Sequence, residues 1–142
     1  MSEKVLLVDD EKDFLDVMAQ RMEARGLEVT TAESADQALS IIEKEHFDAI
    51  VMDFQMPGMD GMQALKAIKA KSPELQIILL TGYATVEKTV EAMKAGASDY
   101  LEKPVDIEVL TAKIKKAKAD KNQHIEKQTD ERIKDILQRF GG

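Results

Sequence analysis

The chain has 142 residues, no cysteine, no tryptophan and a formal net charge of −7. That length fits one domain with a short appendage, and the missing cysteines exclude disulfides and thiolate metal sites. Residues 1–104 hold 11 Lys and Arg against 20 Asp and Glu, while residues 105–142 hold 9 against 7, so the acidic body lacks the basic footprint that direct nucleic-acid binding needs.

Val5-Leu6-Leu7-Val8 is too short for an independent helix and predicts a buried strand ending at Asp9-Asp10. Phe14, Leu15, Met18 and Met22 recur at helical spacing, and Gly26 is placed to stop that helix. Leu27 and Val29 lead a more polar strand through Ala32, whose Thr30 and Thr31 suit a sheet edge. Ser34 followed by Gln37 resembles a capping box for a helix carrying Ala38, Leu39, Ile41 and Ile42. Ala49-Ile50-Val51-Met52 predicts another buried strand, and it delivers Asp53 to its carboxyl end. Pro57, Gly58 and Gly61 then force a loop. Leu65 and Ile68 mark the next helix, closed by Pro73. Ile77-Ile78-Leu79-Leu80 runs into Thr81-Gly82, and Thr85 caps a helix with Val86, Val90 and Met93 that Gly96 ends. Tyr100-Leu101 runs into Lys103-Pro104, and a helix from about Asp106 shows Ile107, Leu110, Ile114 and Ala117 on one face.

Five alternations of strand and helix imply an α/β domain with a parallel sheet. The strong runs ending at Asp9, Asp53 and Thr81 belong in the centre. The expected architecture is flavodoxin-like and doubly wound, with five strands in the order 2-1-3-4-5 and its switch point between strands 1 and 3. Ligands of such sheets bind at the carboxyl edge, where Asp9, Asp10 and Asp53 would meet.

Two carboxylates about 4 Å apart repel by roughly 4 kcal/mol at an effective dielectric of 20, so three need a cation or shared protons. An all-oxygen site suits Mg²⁺ better than zinc. A divalent ion beside Asp53 would also neutralise an incoming phosphoryl group. Lys103 can pair with a phosphoryl oxygen, Thr81 can donate to another, and an aspartate can itself be the nucleophile. The set reads as an aspartyl-phosphate site.

Here the chain resembles the receiver domain of a two-component response regulator. The resemblance covers about residues 3–119. It rests on Val-Asp-Asp-Glu at 8–11, Met-Asp-x-x-Met-Pro-Gly-Met-Asp-Gly at 52–61, Thr-Gly-Tyr-Ala at 81–84, Ala-Gly-Ala-x-Asp-Tyr at 95–100 and Lys-Pro at 103–104. It implies that Asp53 accepts a phosphoryl group from a histidine kinase. Asp10, Asp53 and the Gln55 backbone carbonyl would bind Mg²⁺, with Asp9 acting through metal-bound water. Thr81, Lys103 and the backbone amides of Phe54 and Gly82 would bind phosphoryl oxygens. Lys103-Pro104 would be a cis peptide. The switch would consist of Thr81 drawn toward the phosphoryl group and Tyr100 rotating inward. The domain would assist its own phosphorylation and dephosphorylation without being an enzyme in the usual sense.

The partners so implied are a sensor histidine kinase or phosphotransfer protein and a downstream target protein, with no nucleic acid or membrane. A cytoplasmic location is expected; no run in the sequence is long enough to span a membrane, and the N-terminus lacks a signal-peptide core. Asp60 reads as a turn or helix-start residue. His46 and His124 lack metal-spaced partners and read as surface. Gln55 and Tyr83 flank the site, and in the family such positions tune dephosphorylation. Most methionines read as core filler.

Residues 1–119 are expected to form the receiver domain and 120–142 a C-terminal helical extension. Residues 118–124 are polar, after which Ile125, Ile133, Ile136, Leu137 and Phe140 resume an apolar face. That stripe is expected to pack on a second copy or a target, with Asp120 to His124 in solvent or at a hinge. Three other readings stay open. The chain can be the receiver piece of a larger transcriptional regulator of the AAA+ activator type, which its Thr-Gly-Tyr-Ala and Glu-Ala-Met-Lys-Ala-Gly-Ala stretches resemble. An aspartyl-nucleophile phosphatase of the haloacid dehalogenase type would need an acid where Gln55 stands. A phosphorylation-silent binding module would leave the intact acid, Thr and Lys set without a task.

Overall fold

Three apolar runs and two more polar strands pair side by side into one parallel sheet. The structure is a computed structural model that describes residues 2–56, 59–82 and 85–140, with the backbone alone for Met59 and Phe140. Pro57, Gly58 and Tyr83 therefore lie outside the described residues, as does the side chain of Phe140. In chain order the elements are β1 (Lys4–Val8), α1 (Lys12–Glu23), β2 (Glu28–Ala32), α2 (Ala35–Ile42) and β3 (Ala49–Asp53). A short ribbon of β4 (Gln55–Met56) and β5 (Met59–Asp60) follows, then α3 (Gly61–Lys71), β6 (Gln76–Thr81), α4 (Val86–Lys94), β7 (Asp99–Glu102) and α5 (Ile107–Phe140).

The sheet runs β2-β1-β3-β6-β7, all parallel. Counted along the chain within that sheet, the order is the expected 2-1-3-4-5. The threonine-rich β2 lies at an edge, and the fully buried β3 is central. The loop expected after Asp53 contains the antiparallel β4–β5 ribbon, pairing Gln55 with Asp60 and Met56 with Met59.

Strand periodicity of two sorts the core into halves. Val5, Leu7, Ala49, Val51, Ile78 and Leu80 face α1 and α5, where they meet Leu15, Met18, Met22, Leu110 and Ile114. Leu6, Val8, Ile50, Met52, Ile77 and Leu79 face α2, α3 and α4, where they meet Ala38, Leu65, Ile68 and Ala92. Each fully buried large aliphatic contributes roughly 1.5–3 kcal/mol, and this dominates the stability of the sheet.

Helix ends follow the local chemistry. Ser34 Oγ accepts from the Gln37 amide at 3.1 Å, while the Gln37 side chain accepts from the Glu33 amide at 2.7 Å, one residue earlier than a standard capping box. Thr85 Oγ1 accepts from the Lys88 amide at 3.2 Å. Gly26 and Gly96 take φ of +84° and +111°, the left-handed turn that ends α1 and α4.

Val86, Val90 and Met93 form the exposed side of α4, and the residue that this helix buries is the small Ala92. A helix lying close over the sheet needs a small residue at the contact, which leaves its bulkier neighbours outside. α5 runs unbroken through the polar segment 118–124, the helical extension that was expected. Lys121 Nζ donates to the Phe47 carbonyl at 2.6 Å, so the helix is still held to the body there. His46 and His124 are exposed, as expected.

Candidate functional site

Two strand ends place the three acids. Asp9 and Asp10 follow β1 directly, and Asp53 is the last residue of β3, its neighbour in the sheet. Asp9, Asp10 and Asp53 each present a carboxylate oxygen, and these oxygens lie within 4.8 Å of one another. Asp9 is 0% exposed and Asp53 5%, whereas Asp10 is open to solvent. Burial of two such groups needs compensation.

Lys103 supplies part of it. Its Nζ donates to Asp9 Oδ2 at 2.8 Å and to Asp53 Oδ2 at 3.3 Å. The loop after β7 carries Lys103, and the Lys103 amide donates to the Thr81 carbonyl at 2.7 Å, tying that loop to the end of β6. The Lys103-Pro104 bond is cis, as the resemblance implied. Lys103 Nζ also lies over the Phe14 ring, 4.3 Å from its centroid. No sequence signal singled out Phe14 beyond its place on the apolar face of α1.

Backbone amides complete the carboxylates. The Gln55 amide donates to Asp53 Oδ1 and the Glu11 amide to Asp9 Oδ1, both at 2.9 Å. Both oxygens of Asp9 and both of Asp53 are therefore engaged, each acid by one amide and by Lys103. The Phe54 amide, expected to face a phosphoryl oxygen, instead donates to the Leu80 carbonyl at 2.8 Å. It closes a rung between β3 and β6, and the Gln55 amide is the one turned to the Asp53 carboxylate.

The pKa shifts record the imbalance. Burial pushes the Asp53 carboxyl up and Asp9 adds to this, against the lowering by the Gln55 amide and Lys103. Burial pulls Lys103 down, but the Asp9 hydrogen bond and the two carboxylate charges outweigh it, so its net shift is upward. One ammonium does not balance three acids. An all-oxygen donor set with excess negative charge fits a hard divalent cation that keeps some of its water. Among the described residues, Asp9, Asp10 and Asp53 are the carboxylates gathered closely enough to hold it.

Two further residues lie on β6 and on its neighbour β7. Thr81 is fully buried at the end of β6. Tyr100 is directed inward: its ring meets Phe54 edge to face at 5.8 Å, and its hydroxyl oxygen is enclosed. Burial raises the Tyr100 phenol, and the Thr81 side chain opposes that shift. Asp60 is a helix cap, with its Oδ1 accepting from the Met62 amide at 2.9 Å. Gly61 is required by proximity: a Cβ there would stand 2.1 Å from the Phe54 carbonyl oxygen. Gly82 is exposed beside Thr81, whereas Tyr83 and Ala84 lie outside the described residues.

Residues 5–115 match the family model described as the response regulator receiver domain. The chain is 39% identical over 115 residues to the transcriptional regulatory protein ZraR of Escherichia coli (strain K12), a match covering 81% of this chain and 26% of that protein. It is similar to the crystal structure of a CheY-like receiver domain protein from Methanospirillum hungatei JF-1, at a TM-score of 0.81 and 34% identity, covering 87% of this chain and 99% of the other. It is also similar to the solution structure of the beryllofluoride-activated NtrC4 receiver domain dimer, at a TM-score of 0.78 and 35% identity, covering 83% and 98%. The chain belongs to the response regulator receiver family. It spans about a quarter of the length of the curated relatives it matches.

Proposed function

We propose that Asp53 is the phosphoryl acceptor of a two-component signalling switch. The observation that carries this reading is the Lys103 ammonium between Asp9 and Asp53, at the carboxyl ends of adjacent parallel strands. In the transfer an Asp53 carboxylate oxygen attacks the phosphorus of a kinase phosphohistidine. The O–P bond forms as the P–N bond breaks, and the imidazole leaves and takes up a proton. Hydrolysis reverses the modification: water attacks phosphorus, the aspartyl O–P bond breaks, and inorganic phosphate departs.

Each residue has a role within reach of its position. Lys103 shifts from Asp53 Oδ2 to a phosphoryl oxygen without leaving Asp9. Thr81 and the amides of Gly82 and Gln55 are the other donors at that edge. Phe54 would serve only by sharing the amide that now pairs with Leu80. Asp10, Asp53 and the Gln55 carbonyl would hold Mg²⁺, with Asp9 binding its water, and the ion would supply charge neutralisation for the incoming phosphoryl group. Thr81 and Tyr100 would form the switch, Thr81 drawn toward the phosphoryl group and the Tyr100 ring turning inward; the edge-to-face contact of Tyr100 with Phe54 supports a ring held beside the site. The domain thereby assists its own phosphorylation and dephosphorylation.

The partners proposed are a histidine kinase or phosphotransfer protein, which places the chain in the cytoplasm, and a target protein. Residues 1–119 would form the receiver and 120–142 an extension whose exposed Ile125, Ile133, Ile136 and Leu137 suit a protein contact, either a second copy or the target. The second reading, a receiver piece of a larger transcriptional regulator, is favoured by the fourfold greater length of the relatives; the native reading frame beyond Gly142 decides it. Incubation with acetyl phosphate and Mg²⁺ should add one phosphoryl group by intact mass, and Asp53→Asn should abolish the gain. An undiminished gain in that variant sinks the assignment.

A further inference from the structure

We propose that Phe14 is a positioning residue for Lys103, its ring face holding the ammonium against Asp9 and Asp53. The kinetic consequence rests on the acceptor role of Asp53; the geometry does not.

The contact joins residues 89 positions apart, and the sheet explains why they meet. Asp53 continues the alternation of Ala49 and Val51, which face α1 and α5. Leu101, two residues before Lys103, packs on the same side, and so does Phe14 from the first turn of α1. The ring is therefore carried by a helix that Leu15, Met18 and Met22 anchor in the core. It sits 4.3 Å from Lys103 Nζ, inside the roughly 6 Å reach of a cation–π contact.

Lysine is a compact charge on a flexible four-carbon stem with three donors. Two donors are directed to Asp9 Oδ2 and Asp53 Oδ2, at 2.8 and 3.3 Å. Two oxygens do not fix such a stem, and the exposed Asp10 carboxylate is a competing destination. The ring closes off another side of the ammonium, and the Lys103 side chain is left only 18% exposed. Little water then screens the contact, the condition in which a cation–π contact is strongest.

A third acid in that place would also attract the ammonium. It would add negative charge to a crevice that already has too much, and it would keep Lys103 from a phosphoryl oxygen. The aromatic quadrupole attracts the cation while adding no net charge. Lys103 can thus pass from Asp53 Oδ2 to a phosphoryl oxygen on the same side chain with its third contact unchanged. An aliphatic residue would fill the space and lose this attraction.

The test compares Phe14→Leu and Phe14→Met, which keep an apolar side chain, with Phe14→Tyr, which keeps the π face. Lysine-labelled full-length protein gives the first readout: the Lys103 Hε signals should lie upfield through the ring current in wild type and Phe14→Tyr. They should return to the position of the other lysines in the aliphatic variants. In an acetyl phosphate titration with Mg²⁺, the limiting phosphorylation rate should fall about five- to tenfold in the aliphatic variants, with half-saturation within about twofold. Phe14→Tyr should restore the rate. A wild-type rate in a folded aliphatic variant, or no rescue by Phe14→Tyr, overturns the proposal. Absence of the upfield shift in wild type overturns it whether or not the protein is phosphorylated. A wild type that shows the shift but gains no phosphoryl group refutes the acceptor reading of Asp53 and leaves the contact established.

Discussion

Replacing Asp53 with Asn should stabilise the folded chain when no divalent cation is present. The carboxylate oxygens of Asp9 and Asp10 come within 4.8 Å of Asp53. At an effective dielectric of 20, each such pair costs about 3.5 kcal/mol, and solvent at the exposed Asp10 cuts its share well below that. Against this stands the Lys103 ammonium at 3.3 Å, worth about 5 kcal/mol on the same scale. The charges nearly cancel, so the burial of the carboxylate is left uncompensated, in line with the upward shift of its pKa. Asn keeps the shape and the acceptor oxygen for the Gln55 amide. Relief of the buried charge should then gain on the order of 1–2 kcal/mol at pH 7, or roughly 3–8 °C in Tm. The pH dependence has a definite sign. A raised carboxyl pKa gives wild type a contribution that is fully present below the ordinary value of 3.8 and is lost as pH rises through the folded-state pKa. The advantage of Asp53→Asn should therefore be absent in acid, open as pH rises through that window, and stay constant above it. Urea titrations in EDTA across this range measure it. With Mg²⁺ at ten times its dissociation constant, wild type should recover about 1.4 kcal/mol. An Asn variant equal to or less stable than wild type in EDTA at pH 7 would refute the reasoning.

Asp10→Asn should reduce the rise in Tm that Mg²⁺ gives the wild type, and scanning calorimetry with and without the ion checks this; equal shifts would remove Asp10 from the ligand set. Gly61→Ala should destabilise by about 1–3 kcal/mol in urea despite alanine's better helix propensity, because the new Cβ would stand 2.1 Å from the Phe54 carbonyl oxygen. Ile133→Asp combined with Leu137→Asp should leave acetyl phosphate labelling unchanged and lower the solution mass or the target affinity measured by light scattering or titration. Unchanged values in both would show that the tail stripe has no docking role.

The sheet was legible because buried parallel strands are short apolar runs, and here each run ends on the residue that matters: Asp9, Asp53, Thr81 or, just past the strand, Lys103. The caps at Ser34, Thr85 and Asp60 were legible for a similar reason, since their chemistry is local. What the sequence withheld depends on distant partners. Val86, Val90 and Met93 have helical spacing, but periodicity finds an apolar face without saying that Ala92 is the residue turned to the sheet. Phe14 read as one more apolar position on α1 until the fold brought Lys103 over its ring. The Phe54 amide depends on how far the β3–β6 ladder extends, and a difference of one rung reassigns it to Leu80. The continuity of α5 through 118–124 was legible, because that stretch contains no helix breaker, whereas the hold of Lys121 on the Phe47 carbonyl was not.

The continuity of α5 gives the molecule a lever. The helix begins near the carboxyl edge of the sheet, where the acids gather. It runs to the opposite edge, where Lys121 meets Phe47 just before β3. Its 34 residues make a rod of about 51 Å, of which about 28 Å project beyond Lys121. A tilt of only about 10° at that fulcrum would swing the far end by about 5 Å, on the rise of a straight helix. One phosphoryl charge at one edge of the sheet could thus be read out mechanically at the other, as a displacement larger than any side chain at the site need make.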